Sequence, residues 1–132
     1  MMVDVRRDVD EFLARWVRMT ELRDPERAAD LFQRDPAPLV TFTDGQRAAD
    51  WLDVRVRLGR DLQRAIVERL QVHDVEVREL TEDVVAATFV YDLTARDMWG
   101  ISATVTRLAS MTLVRTKDGF RIAAAHFSVP PA

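Results

Sequence analysis

The segment Asp118–Val129, DGFRIAAAHFSV, decides the fold of this chain because it has the pattern of a C-terminal strand with two largely apolar faces. Strand side chains point to opposite faces in turn, and one face would hold Phe120, Ile122, Ala124, His126 and Ser128. A strand that is apolar on both faces is normally covered on both sides. We therefore expect His126 and Ser128 to be paired with other polar groups or to face a cavity.

Three further segments with a repeat of two residues precede this strand. Val84–Ala95 and Ile101–Thr116 are rich in β-branched and aromatic residues, as strands are. In Ile66–Leu80 the apolar residues change parity around His73 and Asp74, which predicts a bulge or a sharp bend there. The second half of the chain is therefore predicted to form consecutive antiparallel strands.

The first half of the chain is mainly helical by pattern. Apolar residues at steps of three and four predict amphipathic helices over Val5–Leu22 and Gln46–Ala65. The tripeptide Asp24–Glu26 offers an N-cap followed by proline, which predicts a short second helix that ends before Pro36. Leu39–Thr43 has the composition of a short strand. Helices followed by a run of strands indicate an α+β domain, with a curved antiparallel sheet wrapped around helices on one face.

Composition narrows the possible partners. A chain of 132 residues with 48% hydrophobic residues suits a single domain over residues 1–132. Nineteen basic and 22 acidic residues are interspersed and give a net charge of −3, which favours neither nucleic acid nor an anionic membrane as a partner. The sequence has no apolar run of membrane-helix length and no signal-peptide pattern. Because it also lacks cysteine, we expect a cytoplasmic protein.

The order of elements and the last strand resemble the nuclear transport factor 2-like superfamily, over nearly the whole chain. The resemblance is closest to the SnoaL-like proteins and the association domain of calmodulin-dependent kinases, whose last strand carries an aromatic residue, two histidines and a serine at alternate positions. Here these positions hold Phe120, Ala124, His126 and Ser128, so the first histidine is replaced by alanine. Upstream matches are Trp16, Asp24, Leu31, Phe32, Asp44 and Gly45.

This resemblance implies a cone-shaped α+β fold, also called cystatin-like. The open end of the cone would accept a small, mostly apolar molecule, and the outer face of the sheet would form a homodimer. It implies no single reaction, because such folds carry enzymes as well as binding domains.

Two residues are candidates for catalysis. His126 could act as a general acid, a general base or a hydrogen-bond donor, and the alternative is a buried histidine satisfied by a neighbouring group. Asp92 would orient His126 or act as a base if it faced the cavity, but a surface carboxylate is the alternative. Because Tyr91 and Asp92 are adjacent on one strand, only one of them can face inward.

The candidate ligand-binding residues are mostly aromatic. Trp16 and Trp51 would belong to the core or to the wall of the cavity, and Phe42 to its wall. Trp99 in the loop Arg96–Gly100 would be a lid or an interface anchor. Arg107 could bind an anionic ligand or extend to the rim of the sheet. His126 and Ser128 would supply further polar contacts.

Metal and cofactor sites are not predicted. His73 and His126 are the only histidines, and no phosphate-binding or dinucleotide motif is present. The first helix also lacks the tyrosine that ketosteroid isomerases use.

Three hypotheses follow for function. The first is a SnoaL-like domain that binds an apolar or weakly polar small molecule in its cone. The second is a cofactor-independent lyase, isomerase or cyclase that uses His126 with an acid. The third is a non-catalytic oligomerisation module, which predicts a filled cone and an apolar outer sheet face.

Overall fold

A computed structural model describes residues 4–131 and shows an α+β fold, as predicted. Its helices and strands are, in chain order, α1 (Val5–Glu21), α2 (Pro25–Ala29), β1 (Leu39–Thr41), α3 (Trp51–Arg64), β2 (Ile66–Glu79), β3 (Val84–Arg96), β4 (Ser102–Thr116) and β5 (Gly119–Ser128). The strands form one sheet in the order β1-β5-β4-β3-β2. The long strands β2 to β5 pair antiparallel, and the short β1 lies parallel to β5 at one edge.

Each helix begins at an aspartate that caps it. The side chains of Asp4, Asp24 and Asp50 accept hydrogen bonds from free backbone N–H groups in the first turns of α1, α2 and α3. Because Asp50 is the cap, α3 begins at Trp51 rather than at Gln46 as the spacing predicts. None of the helices within residues 4–131 is long and apolar enough to cross a membrane.

Besides a register shift between Val67 and Arg69 on β2, two β-bulges interrupt the alternation of the strands. The first lies between His73 and Glu76 on β2, where Asp74 has a φ of 55°, and it confirms the bend predicted there. The second lies on β5, where Leu113 pairs with Ile122 but Thr112 pairs with Ala124. An extra residue in one strand shifts its alternation. Downstream of Ala123, every side chain of β5 therefore lies on the face opposite to the predicted one.

The core lies between α1 and the inner, concave face of the sheet. Val9 and Leu13 of α1 pack with inward residues such as Phe89 of β3 and Leu113 of β4, and all four are at most 3% exposed. The opposite, outer face of β3 and β4 is half-buried to exposed. Within the single chain, only the inner face of the last strand is covered, because His126 on the outer face is exposed.

Candidate functional site

A cavity of about 290 Å³ lies between the inner face of the sheet and helices α1 and α3. Its apolar wall includes Trp16, Phe42, Leu58, Leu93, Val105 and Phe127. Trp16 projects from α1 and packs edge-on against Tyr91, with their ring centroids 5.4 Å apart. Phe127 lies parallel to both Trp16 and Phe42, at 6.4 Å from each ring centroid. These rings give the cavity a rigid aromatic end that suits an apolar ligand.

Two polar side chains from neighbouring strands enter the same cavity. Tyr91 of β3 and Arg107 of β4 are directly opposite each other in the sheet, so both side chains point to the inner face. The Arg107 guanidinium donates from Nη1 to the backbone carbonyl of Thr106 at 2.9 Å. Within residues 4–131, Arg107 has no carboxylate partner and the Tyr91 hydroxyl makes no side-chain hydrogen bond, although its oxygen keeps some solvent-accessible surface. The hydrogen-bonding capacity of this pair is therefore largely unused.

The protonation of Tyr91 is fixed by its surroundings. Burial raises the pKa of the Tyr91 hydroxyl to about 12, and the positive charge of Arg107 lowers it by a smaller amount. Burial disfavours the charged phenolate, which explains the direction of the shift. At neutral pH the Tyr91 hydroxyl is therefore protonated and can donate a hydrogen bond.

A second arginine of the cavity wall is already neutralised. Arg57 of α3 donates to Asp61 at 3.0 Å and to Asp44 at 2.8 Å, and its guanidinium lies 4.5 Å from the ring centroid of Phe42. The pKa of Asp44 is held below its ordinary value because the backbone N–H of Gln46 and the Arg57 side chain donate to its carboxylate. This ion-pair network ties the Asp44 loop to α3 beside the cavity.

A comparison with protein families agrees with this fold and its aromatic cavity. The sequence model of a SnoaL-like domain matches residues 9–132. The chain belongs to the SnoaL-like domain family. This membership confirms the resemblance inferred from the order of elements and the last strand. One histidine of the last-strand pattern is nevertheless absent, and the other does not line the cavity.

Solved structures show the same fold for this SnoaL-like domain. It is similar to a candidate calcium/calmodulin-dependent protein kinase II association domain from Xanthomonas campestris, with 20% identity, coverage of 95% of this chain and 87% of that one, and a TM-score of 0.85. It is also similar to a nuclear transport factor 2-like superfamily protein from Salmonella enterica, with 19% identity, coverage of 97% and 92%, and a TM-score of 0.81.

A third similar structure is a ketosteroid isomerase-like protein from Erwinia carotovora, with 10% identity, coverage of 98% of this chain and 100% of that one, and a TM-score of 0.81. At these identities the similarity shows the nuclear transport factor 2-like fold alone. A comparison with curated protein sequences finds no match.

The SnoaL-like domain does not place His126 and Ser128 in its cavity, and the prediction that they face it is wrong. His126 is exposed and Ser128 is half-buried, and neither lines the cavity. The reason is the bulge at Ala123, which turns Ala125 and Phe127 inward and His126 and Ser128 outward. Phe127 therefore occupies the place in the wall that the alternation assigns to His126.

Asp92 also lies outside the cavity, which contradicts its predicted catalytic pairing with His126. Its carboxylate accepts from the Thr106 hydroxyl at 2.6 Å and is 2.9 Å from Nε2 of His73. The other ring nitrogen of His73 is 3.1 Å from Asp74. His126 is on β5 and Asp92 is on β3, with β4 between them. The structure therefore does not assemble the predicted catalytic pair.

The aromatic predictions divide between the cavity and other sites. Trp16 and Phe42 line the cavity as predicted, and so does Arg107. Trp51 does not, because its indole N–H donates to the Ala29 carbonyl at 2.8 Å and Arg34 lies over its ring. Trp99 is 78% exposed at the tip of the β3–β4 hairpin and is not a cavity lid. A role for Trp99 as an interface anchor remains a prediction.

Three functional candidates of the cavity were missed by the sequence pattern. One is Tyr91, whose apolar neighbours on the same strand face predict a core or dimer-contact residue. The others are Arg57, which the helical spacing predicts to face solvent or to pair with Asp53 and Asp61, and Asp61 itself. The inward parity of Tyr91 was visible from its neighbours Phe89 and Leu93, which share its face. Among residues 4–131, no group of three histidine or acidic side chains is arranged to hold a metal ion.

Proposed function

We propose that this SnoaL-like domain binds a small, largely apolar molecule in its cone cavity. The single observation that supports the proposal is the cavity of about 290 Å³, walled by Trp16, Phe42 and Phe127 and supplied with few polar groups. Ligand pockets combine apolar walls with a small number of polar groups that orient the ligand. A purely structural oligomerisation module was expected to have a filled cone, which the cavity does not favour.

The chemistry of the cavity favours binding over a reaction that depends on histidine. Neither His73 nor His126 lines the cavity, and the one carboxylate among its described lining residues, Asp61, is paired with Arg57. The aromatic rings supply flat apolar surfaces, each of which gains stabilisation from contact with an aromatic or hydrocarbon ligand. A ligand with an aromatic or alicyclic body is therefore the best match.

The test uses cinnamamide, a neutral aromatic probe, in isothermal titration calorimetry. The Val105→Trp variant fills part of the cavity. Thr104 is the preceding residue of β4 and is exposed on the outer face of the sheet, so Thr104→Trp places the same ring outside the cavity. We expect Val105→Trp to weaken cinnamamide binding by at least about tenfold and Thr104→Trp to leave it within about twofold of the wild type. Equal loss of cinnamamide binding in both variants would refute cavity binding.

We further propose that a second copy of the chain covers the outer face of the sheet. Two cross-strand apolar pairs lie on this face, Val84 with Val114 and Val90 with Leu108. Of the outward positions on β3 between Val84 and Thr94, Asp92 alone is charged. Depletion of charge with apolar residues at the centre is typical of an interface core.

Sedimentation velocity tests the dimer directly. The wild type is expected to sediment as a dimer at micromolar concentration, and Leu108→Lys as a monomer, because a buried unpaired ammonium is costly. Lys117 is exposed at the β4–β5 turn, away from these apolar pairs, and Lys117→Glu controls for the effect of a change in surface charge, so it should sediment as the wild type does. A wild-type monomer, or a dimer that survives in Leu108→Lys, would overturn this assignment.

A further inference from the structure

The inner face of β3 and β4 carries two hydrogen-bond donors that converge on the apolar cavity. Tyr91 and Arg107 are cross-strand partners, and both line the space beside Phe127 and Trp16. Arg107 uses Nη1 for the Thr106 carbonyl, which leaves the Nε and Nη2 edge of the guanidinium without a partner among the described residues. That edge presents two parallel N–H groups, the geometry that matches a planar carboxylate.

The charge balance around Arg107 adds a second argument. Asp61, the one acidic side chain among the described lining residues, is held by Arg57 at 3.0 Å. Asp44, an acid beside the cavity, is held by the same arginine at 2.8 Å. Within residues 4–131 the positive charge of Arg107, a half-buried residue, is therefore not compensated by an ion pair, and a cation that lines an apolar cavity favours an anionic partner.

Tyr91 complements Arg107 as a neutral donor. With a pKa raised to about 12 by burial, its hydroxyl remains protonated at neutral pH and can donate to an anion. Its ring also packs on Trp16, which fixes the position of the hydroxyl beside Arg107. A carboxylate in this corner would accept from both side chains while its apolar body lies against the aromatic wall.

We propose that Arg107 and Tyr91 form a head-group site for an aromatic or alicyclic carboxylic acid bound in the cone. This inference rests on the proposed function, because it specifies the ligand class of the same cavity. Arg107 supplies the charge and the planar pair of donors, and Tyr91 supplies a third hydrogen bond. The aromatic residues bind the body of the ligand and give no preference for the acid.

The test compares cinnamate with cinnamamide, which has a similar shape and no charge, by isothermal titration calorimetry. We expect the wild type to bind cinnamate at least about tenfold more tightly than cinnamamide, because hydrogen bonds to charged groups are the stronger ones. Arg107→Gln should weaken cinnamate binding by about 10- to 100-fold and leave cinnamamide within about twofold. Tyr91→Phe should weaken cinnamate by about two- to tenfold.

Arg121 supplies the matched control. Its Nη1 donates to the preceding carbonyl, that of Phe120, at 2.9 Å, as Arg107 does with Thr106, but Arg121 does not line the cavity. Arg121→Gln should leave the affinity for both probes unchanged. An Arg107→Gln variant that does not fold would leave the decision to Tyr91→Phe, for which unchanged cinnamate affinity refutes the head-group site.

The outcomes separate the two proposals. Equal affinity of the wild type for cinnamate and cinnamamide, or unchanged cinnamate binding in Arg107→Gln, refutes the head-group site and leaves cavity binding intact. Failure of both probes to bind the wild type refutes cavity binding, and the head-group site with it. An Arg107→Gln variant that binds cinnamate more weakly and cinnamamide as before supports both cavity binding and the head-group site.

Discussion

The polar side chains on the two faces of the β3–β4 pair differ in their hydrogen-bond partners. On the outer face, Asp92 accepts from Thr106 and is paired with His73, so the polar groups satisfy one another. On the inner face, one residue away along the same strands, Tyr91 and Arg107 share a cavity, and the Tyr91 hydroxyl has no partner within residues 4–131. Polar groups that satisfy each other need no ligand, whereas donors that line an open cavity and lack a protein partner are available to a ligand.

The largest expected difference between the faces is in stability. Leu113 is fully buried on the inner face and Val114, the next residue, is half-buried on the outer face. Leu113→Ala should lower the free energy of unfolding by about 2–5 kcal/mol, because it removes contacts and leaves a cavity in the core. Val114→Ala should cost less than about 1 kcal/mol in the monomer, as at other partly exposed positions.

Urea denaturation of both variants measures this difference. A dimer in which Val114 is covered would raise the cost of Val114→Ala, so the two variants are compared in the monomeric Leu108→Lys background. Equal destabilisation by the two substitutions in that background would show that the faces of β4 are not assigned correctly.

A second, smaller difference concerns adjacent residues of β5. Phe127 stacks on Trp16 and Phe42 inside the cavity, whereas His126 is exposed on the outer face. We expect Phe127→Ala to weaken cinnamamide binding by about five- to tenfold, through loss of aromatic contact. His126→Ala should leave the affinity within about twofold. The reverse pattern in calorimetry would mean that the bulge at Ala123 is absent and that His126 faces inward.

The smallest expected effect is the pH dependence of the outer cluster. The pKa of His73 is raised above its ordinary value of 6.5 because Asp74 and Asp92 pair with its ring. The pKa of Asp92 is lowered from 3.8 because Thr106 and His73 donate to it. The contribution of His73 to the free energy of unfolding is complete below pH 6.5 and is lost as the pH rises through its folded-state pKa. The contribution of Asp92 to the free energy of unfolding is present above pH 3.8 and is lost as the pH falls through its folded-state pKa.

The pair therefore stabilises the fold most between pH 3.8 and 6.5. His73→Gln should lower the melting temperature more at about pH 5.5 than at about pH 8.5. Because both side chains are partly exposed, the difference should shrink in added salt. A melting-temperature difference that is independent of pH would show that the two side chains do not pair in solution.

Much of this fold follows from local patterns in the sequence. Apolar spacing predicts α1, and alternation predicts the long strands and the inner face of β4 with Ala109, Met111 and Leu113. The change of parity at His73 and Asp74 predicts the first bulge, because it interrupts an otherwise regular apolar pattern. These features depend on residues close together in the chain.

The site was harder to predict because it depends on the second bulge. The run Ala123-Ala124-Ala125 has three identical side chains, so the sequence shows no change of parity where the extra residue is inserted. Alternation carried through this run assigns His126 to the cavity and Phe127 to the outer face, which is the reverse of the structure. Trp16, Phe42 and Arg107 lie upstream of the bulge and are unaffected by it. The homodimer and the cytoplasmic location remain predictions.

The three tryptophans provide the most direct test of the cavity as a ligand site. The indole ring of Trp16 lines the aromatic end of the cavity, the indole N–H of Trp51 donates to the Ala29 carbonyl, and Trp99 is exposed at a hairpin tip. In a proton–nitrogen NMR titration with cinnamate, we predict a progressive shift of the Trp16 indole signal, while the signals of Trp51 and Trp99 stay in place. An unmoved Trp16 signal, or a shift confined to Trp99, would contradict binding in the cone.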